Sequence, residues 1–303
     1  MNRPARVLCD WGGSRLRACL EREGSIVDRR VGPGIHRLGA DSPAQALASV
    51  LAPWRSEQGL AVLLCGMAGS RDGLAEVPYV HAPATVEVWR RGGLQVRIGD
   101  LEATIAPGVE AENFAGAQDV MRGEETQIFG ALALDARLAA ANPLLVLPGT
   151  HCKWVRVEEG AIVRVQTYLT GELFDLLRRH SSLLRLGADS GTDEEGFEAG
   201  LRAGARGDLA ASLFETRTAQ LLAGRAAGWA QGFLSGLLIG AELASMLGQR
   251  ALASEPLTLI GDPQLTARYR RALASYGIDA QALDGERCVL AGLRVLADVE
   301  RRC

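Results

Sequence analysis

RVLCDWGGSRLRACLEREGSIV is the sequence of residues 6–27, and it alternates short apolar runs with two turns. The apolar residues Val7–Cys9 lead into a small-residue turn at Gly12–Ser14, and alternating apolar positions follow, which predicts a β-hairpin. A second turn at Glu23-Gly24 precedes Ile26-Val27 and predicts a third strand. This part of the chain therefore predicts a three-stranded unit.

The same arrangement returns in residues 142–163, which read NPLLVLPGTHCKWVRVEEGAIV. Gly13 falls on Gly149, so the two copies are offset by 136 residues. A chain of 303 residues is long enough for two domains, and the repeat indicates that both begin with the same unit. We predict an α/β protein with two domains, residues 1–141 and 142–303.

The composition excludes several classes of function. A net charge of -3 and a pI near 5.9 lack the basic footprint of a nucleic-acid-binding protein. The six cysteines contain no C-x-x-C pair, so neither a zinc site nor a thioredoxin-like motif is predicted. Most of them lie in or beside apolar runs, as reduced thiols do, and the N-terminal residues lack the apolar core of a signal peptide. We expect a cytoplasmic protein without a nucleic-acid partner.

Residues 229–247 are nearly all apolar, with glycine at every fourth position from Gly232 to Gly240. In a membrane helix this spacing would mark a dimerisation face. Two polar residues, Gln231 and Glu242, interrupt the run, and no other segment is comparable. We predict a buried helix of a protein with no membrane partner, whose glycines let another element approach closely.

The two small-residue turns are candidate phosphate loops. Glycine lets the backbone approach a ligand, and the amide groups of such a turn bind anions. Lys153 is the only lysine among 33 basic residues, which marks a position that needs a compact positive charge. The alternative for either turn alone is a plain hairpin turn. The candidate residues are Gly12, Gly13, Ser14 and Arg15 in the first turn and Gly149, Thr150, His151 and Lys153 in the second.

Asp10 ends the first predicted strand and opens the first turn. A carboxylate there suits Mg²⁺, which proteins bind through one or two carboxylates together with substrate phosphates. The alternative is an Asx turn that stabilises the hairpin. The sequence contains neither G-x-x-x-x-G-K-[ST] nor a G-x-G-x-x-G motif after a strand, so neither a P-loop nor a Rossmann site is predicted.

Six longer motifs are spread over nearly the whole chain. They are Asp10–Arg15 (DWGGSR), Met121–Gln127 (MRGEETQ), Leu147–Trp154 (LPGTHCKW), Thr170–Leu173 (TGEL), Phe233–Glu242 (FLSGLLIGAE) and Leu265–Tyr269 (LTARY). Together they resemble the 2-dehydro-3-deoxygalactonokinase family, which belongs to the actin, Hsp70 and hexokinase superfamily. The resemblance implies two ribonuclease-H-like domains (the actin-like ATPase fold) with ATP in an interdomain cleft.

The resemblance also implies a reaction, the transfer of a phosphoryl group from ATP to the C6 hydroxyl of 2-dehydro-3-deoxy-D-galactonate, with Mg²⁺ on the phosphates. Arg122 is then a clamp for the substrate carboxylate. The hydroxyl proton goes to Glu124 or Glu125, with Asp10 as the rival base. The alternative for both glutamates is a contribution to the dipole of the helix that begins there.

Further candidates follow from the same resemblance. Gly261 would open an adenosine-binding loop, although Asp262-Pro263 stand where a second glycine is common. The resemblance also makes Thr170, a predicted helix N-cap, and Glu172 substrate-binding candidates. Other candidates come from their place in loops, each with a plain structural alternative: Gly69 and Ser70 after a strand end, and His36 and Arg37 in a glycine-flanked loop that borders the substrate.

Two other functions stay open on the sequence. One is an ATP-binding regulator or chaperone-like ATPase switch of the same fold. The other is a kinase for another hydroxy acid, such as 2-dehydro-3-deoxygluconate, because epimers differ only in the direction of one hydroxyl. The sequence is also compatible with a homo-oligomer.

Overall fold

The predicted three-stranded unit forms strands β1 (Arg6–Trp11), β2 (Arg15–Arg22) and β3 (Ser25–Pro33) in the computed structural model, which describes residues 5–57, 59–184, 193–248 and 256–297. The other strands are β4 (Ala61–Gly66), β5 (Val80–His81), β6 (Leu94–Ile98), β7 (Leu101–Ile105), β8 (Val109–Glu112), β9 (Gln118–Met121), β10 (Leu144–Leu147), β11 (Cys152–Glu158), β12 (Ala161–Tyr168), β13 (Leu257–Gly261) and β14 (Ala280–Asp284). The helices are α1 (Pro43–Leu51), α2 (Val86–Arg91), α3 (Glu124–Leu134), α4 (Ala136–Ala140), α5 (Thr170–His180), α6 (Glu194–Gly204), α7 (Leu209–Ala223), α8 (Ala227–Gly248), α9 (Pro263–Ala274) and α10 (Gly285–Ala297).

Two sheets share one strand plan. The first has the order β3-β2-β1-β4-β7-β6, with β1 antiparallel to β2 and parallel to β4. The other has the order β12-β11-β10-β13-β14, with β10 parallel to β13. In both, a hairpin unit is followed by a strand parallel to its first strand. The predicted α/β fold is therefore confirmed, and the sequence repeat corresponds to a repeat of topology.

The chain folds into two structural units. The first comprises the chain up to Asn142, the segment Val155–Gln166 and the C-terminal segment from Leu283. The second comprises Pro143–Trp154 and Thr167–Ala282. The sequence-based ranges 1–141 and 142–303 remain a prediction, and they differ from these units in the assignment of Val155–Gln166 and of α10.

Helix α10 packs closely against α3 within the first unit. A Cβ on Gly292 would lie 1.9 Å from the carbonyl oxygen of Thr126, and one on Gly130 would lie 1.9 Å from that of Cys288. Only glycine permits this approach, because real Cβ contacts are never so short. The C-terminal helix therefore supports α3, whose first residues are Glu124 and Glu125.

Helix α8 is the predicted glycine-containing helix, and it is largely buried. Its length and apolar composition would also let it cross a membrane, but most of its apolar stretch is buried inside the protein. Its glycines lie against the backbone of α6: Cβ atoms on Gly232, Gly236 and Gly240 would come within 2.2, 2.0 and 2.6 Å of carbonyl oxygens in α6 or at its N-cap. The predicted close approach of another element is confirmed.

Two local predictions need correction. The sequence predicts one helix over Glu124–Leu138. In the structure α3 ends at Leu134, because the Asp135 side chain accepts a hydrogen bond from the Arg137 amide (3.0 Å) and starts α4. The sequence predicts only strands and loops over residues 78–108, but this segment contains α2, which the Thr85 hydroxyl caps.

Candidate active site

The first predicted phosphate loop joins β1 to β2. The Gly12 amide donates to the Arg15 carbonyl (2.9 Å), which closes a tight turn. The amide of His36 donates to the Gly13 carbonyl (3.0 Å), and a Cβ on Gly13 would lie 2.8 Å from Nδ1 of the His36 ring. His36 therefore packs against the loop and requires glycine at position 13.

Asp10 stands at the end of β1 beside this loop. One carboxylate oxygen accepts a hydrogen bond from Arg17 (3.2 Å), and the other lies 4.0 Å from the Cys65 thiol. Burial raises the pKa of the Asp10 carboxyl above its ordinary value, and the Arg17 guanidinium partly offsets this. The side chain keeps 25% of its surface exposed, so a ligand can still reach it.

Glu125 is fully buried near the same strand end. Its carboxylate accepts hydrogen bonds from the Gly123 amide (2.7 Å) and the Thr126 hydroxyl (3.0 Å). Burial, and then the neighbouring charge of Glu124, raise its pKa from 4.5 to about 8. Burial raises the pKa of the Cys65 thiol as well, and the charges of Asp10 and Glu125 raise it further.

Two glycines bring these groups together. Gly66 at the end of β4 and Gly123 before α3 have φ angles of 75° and 114°, a region that favours glycine. A Cβ on Gly123 would lie 3.2 Å from the Cα of Gly66, and one on Gly66 would lie 2.7 Å from the Trp11 carbonyl oxygen. The ends of β1 and β4 and the start of α3 therefore meet at one place. The sequence contains both glycines but no signal that they are neighbours.

Arg122 is held by two groups that the sequence did not indicate. Its guanidinium carbon lies 4.2 Å from the centre of the Tyr79 ring, and its Nη2 donates to the Val77 carbonyl (2.7 Å). Gly69 leaves room for it, because a Cβ there would lie 2.8 Å from Nη1. Among the described residues, Nε and Nη1 are buried and have no hydrogen-bond partner. The Ser70 hydroxyl is turned to the Met67 carbonyl (2.8 Å).

The second predicted phosphate loop joins β10 to β11 and packs against the start of α5. The Glu172 amide donates to the Thr150 carbonyl (2.9 Å), and a Cβ on Gly171 would lie 2.3 Å from the Gly149 carbonyl oxygen. His151 Nε2 lies 2.5 Å from the Glu172 carboxylate. The structure therefore brings the candidate residues of the loop and of the helix start into one group.

Lys153 follows this loop on β11 and is 6% exposed. Its ammonium group donates to the Thr167 hydroxyl (2.8 Å). Gly261 ends β13, which pairs with β10, and a Cβ there would come 3.5 Å from the Pro148 carbonyl oxygen. Asp262, which replaces the second glycine, caps α9 by accepting from the Gln264 amide (2.9 Å).

Thr170 requires a correction. It is the first residue of α5 rather than its N-cap, and its hydroxyl donates to the buried carboxylate of Glu242. Glu242 was visible only as an acidic residue in an apolar run, and its partners come from distant parts of the chain. The substrate-binding role of Thr170 stays a prediction.

Comparisons with known proteins identify the family of the chain. A family model described as 2-keto-3-deoxy-galactonokinase matches residues 10–296. The 2-dehydro-3-deoxygalactonokinase of Escherichia coli (strain K12) is 37% identical over 293 residues, covering 96% of this chain and 97% of that protein. The probable 2-dehydro-3-deoxygalactonokinase DgoK1 of Rhizobium meliloti (strain 1021) is 36% identical over 294 residues, covering 95% of each.

A solved structure is similar over the same extent. A crystal structure from Sinorhizobium meliloti, described as a 2-dehydro-3-deoxygalactonokinase protein, has a TM-score of 0.86 and 33% sequence identity. The match covers 97% of this chain and 98% of that one. The fold is therefore the actin-like ATPase fold that the resemblance implied. Two names, 2-keto-3-deoxy and 2-dehydro-3-deoxy, denote the same sugar acid. The chain belongs to the 2-keto-3-deoxy-galactonokinase family.

Proposed function

We propose that this kinase transfers the terminal phosphoryl group of ATP to the C6 hydroxyl of 2-dehydro-3-deoxy-D-galactonate, and that Arg122 binds the substrate carboxylate. The products are ADP and the 6-phosphate. Membership of the family makes the chain a sugar-acid kinase that uses ATP, and it disfavours an ATPase switch. The residue roles below are our proposal.

The state of the Arg122 guanidinium carries this proposal. A buried guanidinium requires acceptors for its N–H groups, and within the described parts of the chain two of its nitrogens have none. A carboxylate is the acceptor that suits it best. Tyr79 and Val77 hold the group in place, which lowers the entropy that binding costs. The substrate supplies one carboxylate.

The positions of the carboxyl groups suggest a division of roles. Glu125 is fully buried, so we assign it to holding the start of α3. Glu124 is partly exposed and accepts a hydrogen bond from the Arg122 backbone amide (3.1 Å). Its partly exposed carboxylate is the one that a substrate hydroxyl can reach, so we assign the hydroxyl proton to Glu124.

Asp10 is the group that we assign to Mg²⁺. The described residues include no group of three or more His, Cys, Asp or Glu side chains able to hold a metal. A single accessible carboxylate beside a phosphate loop fits Mg²⁺, which takes most of its remaining ligands from phosphates and water. When bound, the ion neutralises phosphate charge. We assign the ATP phosphates to the Gly12–Arg15 turn and to the loop from Gly149 to Lys153.

A cytoplasmic location fits the same proposal. Cys9, Cys19, Cys65, Cys152 and Cys288 are free and buried in the structure. Reduced thiols of this kind are typical of a reducing compartment, where ATP is also available.

A coupled assay of ADP release tests the proposal. Wild type and Arg122→Lys are compared with 2-dehydro-3-deoxy-D-galactonate, with its gluconate epimer and without sugar acid. We expect ADP release to require the galacto compound. Lysine lacks the planar fork of arginine, so Arg122→Lys should raise the KM for the sugar acid by about tenfold or more and leave the KM for ATP unchanged.

Arg137→Lys is the matched control, because Arg137 is exposed and its ion pair is with Asp135 in its own turn. It should leave both KM values unchanged. Steady ATP hydrolysis that no sugar acid stimulates would contradict the kinase activity. An unchanged KM for the sugar acid in Arg122→Lys would refute the carboxylate site alone.

A further inference from the structure

Glu242 is a buried carboxyl group in an otherwise apolar part of α8. Only 2% of its surface is exposed, and burial raises the pKa of its carboxyl above the ordinary value. Burying a carboxyl group is unfavourable unless hydrogen bonds compensate for its lost hydration. Its partners therefore show what the group is for.

The Glu242 carboxylate accepts hydrogen bonds from three other elements. Trp154 Nε1 donates to one oxygen (2.7 Å), while the Tyr269 hydroxyl (2.8 Å) and the Thr170 hydroxyl donate to the other. The Cys152 thiol also hydrogen-bonds with the group. These four donors are all buried, so an apolar residue at position 242 would leave them without this acceptor.

Each donor belongs to a chain segment that carries or contacts the proposed nucleotide site. Cys152 and Trp154 flank Lys153 on β11. Thr170 precedes Gly171, which packs on the Gly149 carbonyl of the second loop. Tyr269 lies on α9, which begins directly after Gly261 and Asp262. One carboxylate thus joins the three chain segments that surround the second loop.

We infer that Glu242 is a positioning residue for ATP: it fixes the loop from Gly149 to Lys153 against the starts of α5 and α9 without touching the nucleotide. This inference rests on the proposed role of that loop in nucleotide binding. Hydrogen bonds are directional, so four donors converging on one carboxylate fix the strand and both helices at once. A phosphate site that is loosened by a fraction of an ångström loses much of its affinity and rate.

The test compares ADP binding by calorimetry with steady-state kinetics in the full-length chain. Glu242→Gln keeps the size of the side chain but replaces an acceptor oxygen by an amide that only donates, so at least one donor loses its acceptor. We expect the dissociation constant of ADP and the KM for ATP to rise by about tenfold. The KM for the sugar acid should change less than the KM for ATP, because Thr170 is the one partner of Glu242 that is a substrate-binding candidate.

Two further variants control for a loss of folding. Ser235→Ala removes a different, partly buried hydrogen bond of α8, the one from Arg268 (3.1 Å), and should leave ADP binding unchanged even if Tm falls. Tyr269→Phe removes one donor without leaving an unmatched amide and should weaken ADP binding by about threefold. It keeps the inference testable if Glu242→Gln does not fold.

Lys153→Ala distinguishes a failure of the inference about Glu242 from a failure of the proposed nucleotide site. If Lys153→Ala weakens ADP binding and both Glu242→Gln and Tyr269→Phe bind ADP like wild type, Glu242 has only a structural role and the inference is wrong. If Lys153→Ala also binds ADP normally, the second loop does not bind the nucleotide, and the proposed site fails with it.

Discussion

Glu125 illustrates how the folded environment changes what a side chain does. The sequence places two adjacent glutamates at a helix start, where either is a candidate base. Only the folded chain separates them, because Glu125 turns inward to Gly123 and Thr126 while Glu124 stays partly exposed. Arg122 is a similar case. The sequence identifies it as a candidate carboxylate clamp, but only the folded chain buries its guanidinium nitrogens and holds the group against Tyr79 and Val77.

The raised pKa of Glu125 predicts a pH dependence of stability. Its carboxyl has a pKa of about 8 when folded, against 4.5 as the ordinary value. Between these limits the unfolded chain has lost the proton and the folded chain keeps it, so the stability that Glu125 contributes is full below pH 4.5 and is lost as the pH rises through about 8. Glu125→Gln cannot ionise. Its Tm relative to wild type should therefore increase from about pH 5 to about pH 9.

Thermal denaturation in one buffer series measures this difference. Glu102→Gln, at an exposed position of β7, controls for the loss of a glutamate charge. A Tm difference between Glu125→Gln and wild type that stays constant over this range would show that Glu125 is not held protonated in the folded protein.

Helices α6 and α8 show what a repeated glycine does between two elements. The spacing of Gly232, Gly236 and Gly240 predicted a close approach, and the structure supplies the partner. The glycines of α6 follow the same spacing, and a Cβ on its Gly200 would lie 2.1 Å from the Phe233 carbonyl oxygen. That second stripe was readable in the sequence, but nothing local indicates which two helices pair.

Gly236→Ala should force these helices apart. The added Cβ would lie 2.0 Å from the Phe197 carbonyl oxygen, a backbone atom that cannot move aside alone. We expect the free energy of unfolding to fall by about 1–3 kcal/mol, measured by denaturant titration. Gly248→Ala, on the same helix, is the control and should be near neutral, because among the described residues its added Cβ meets nothing within 4 Å outside the local helix backbone. Equal stabilities of the two variants would contradict the close packing.

The two units of the molecule are not two continuous halves of the chain. The first unit takes in α10 from the far end of the sequence, and α10 packs on α3 through Gly130 and Gly292. The hairpin repeat marks where each unit begins, but it carries no information about where the last helix packs.

A fragment experiment follows from this arrangement. Residues 1–141 alone should show weak amide protection in α3, because the face of α3 that α10 covers would be exposed. Appending residues 283–297 through a flexible Gly/Ser linker should restore protection, as measured by hydrogen exchange. If both fragments protect α3 equally, α10 is not needed for the folding of the first unit.

Local sequence was sufficient for the repeated hairpin unit, the α/β class, the buried α8 helix and the family, because turn residues, apolar periodicity and long motifs are read from neighbours in the chain. It also named Arg122, Glu124 and Lys153 as candidates. Tertiary structure decided four features: the two Arg122 nitrogens without a partner among the described residues, the burial of Glu125, the donors around Glu242 and the placement of α10. Each of these arises from contacts between residues far apart in sequence, whose burial and pairing exist only once the chain has folded.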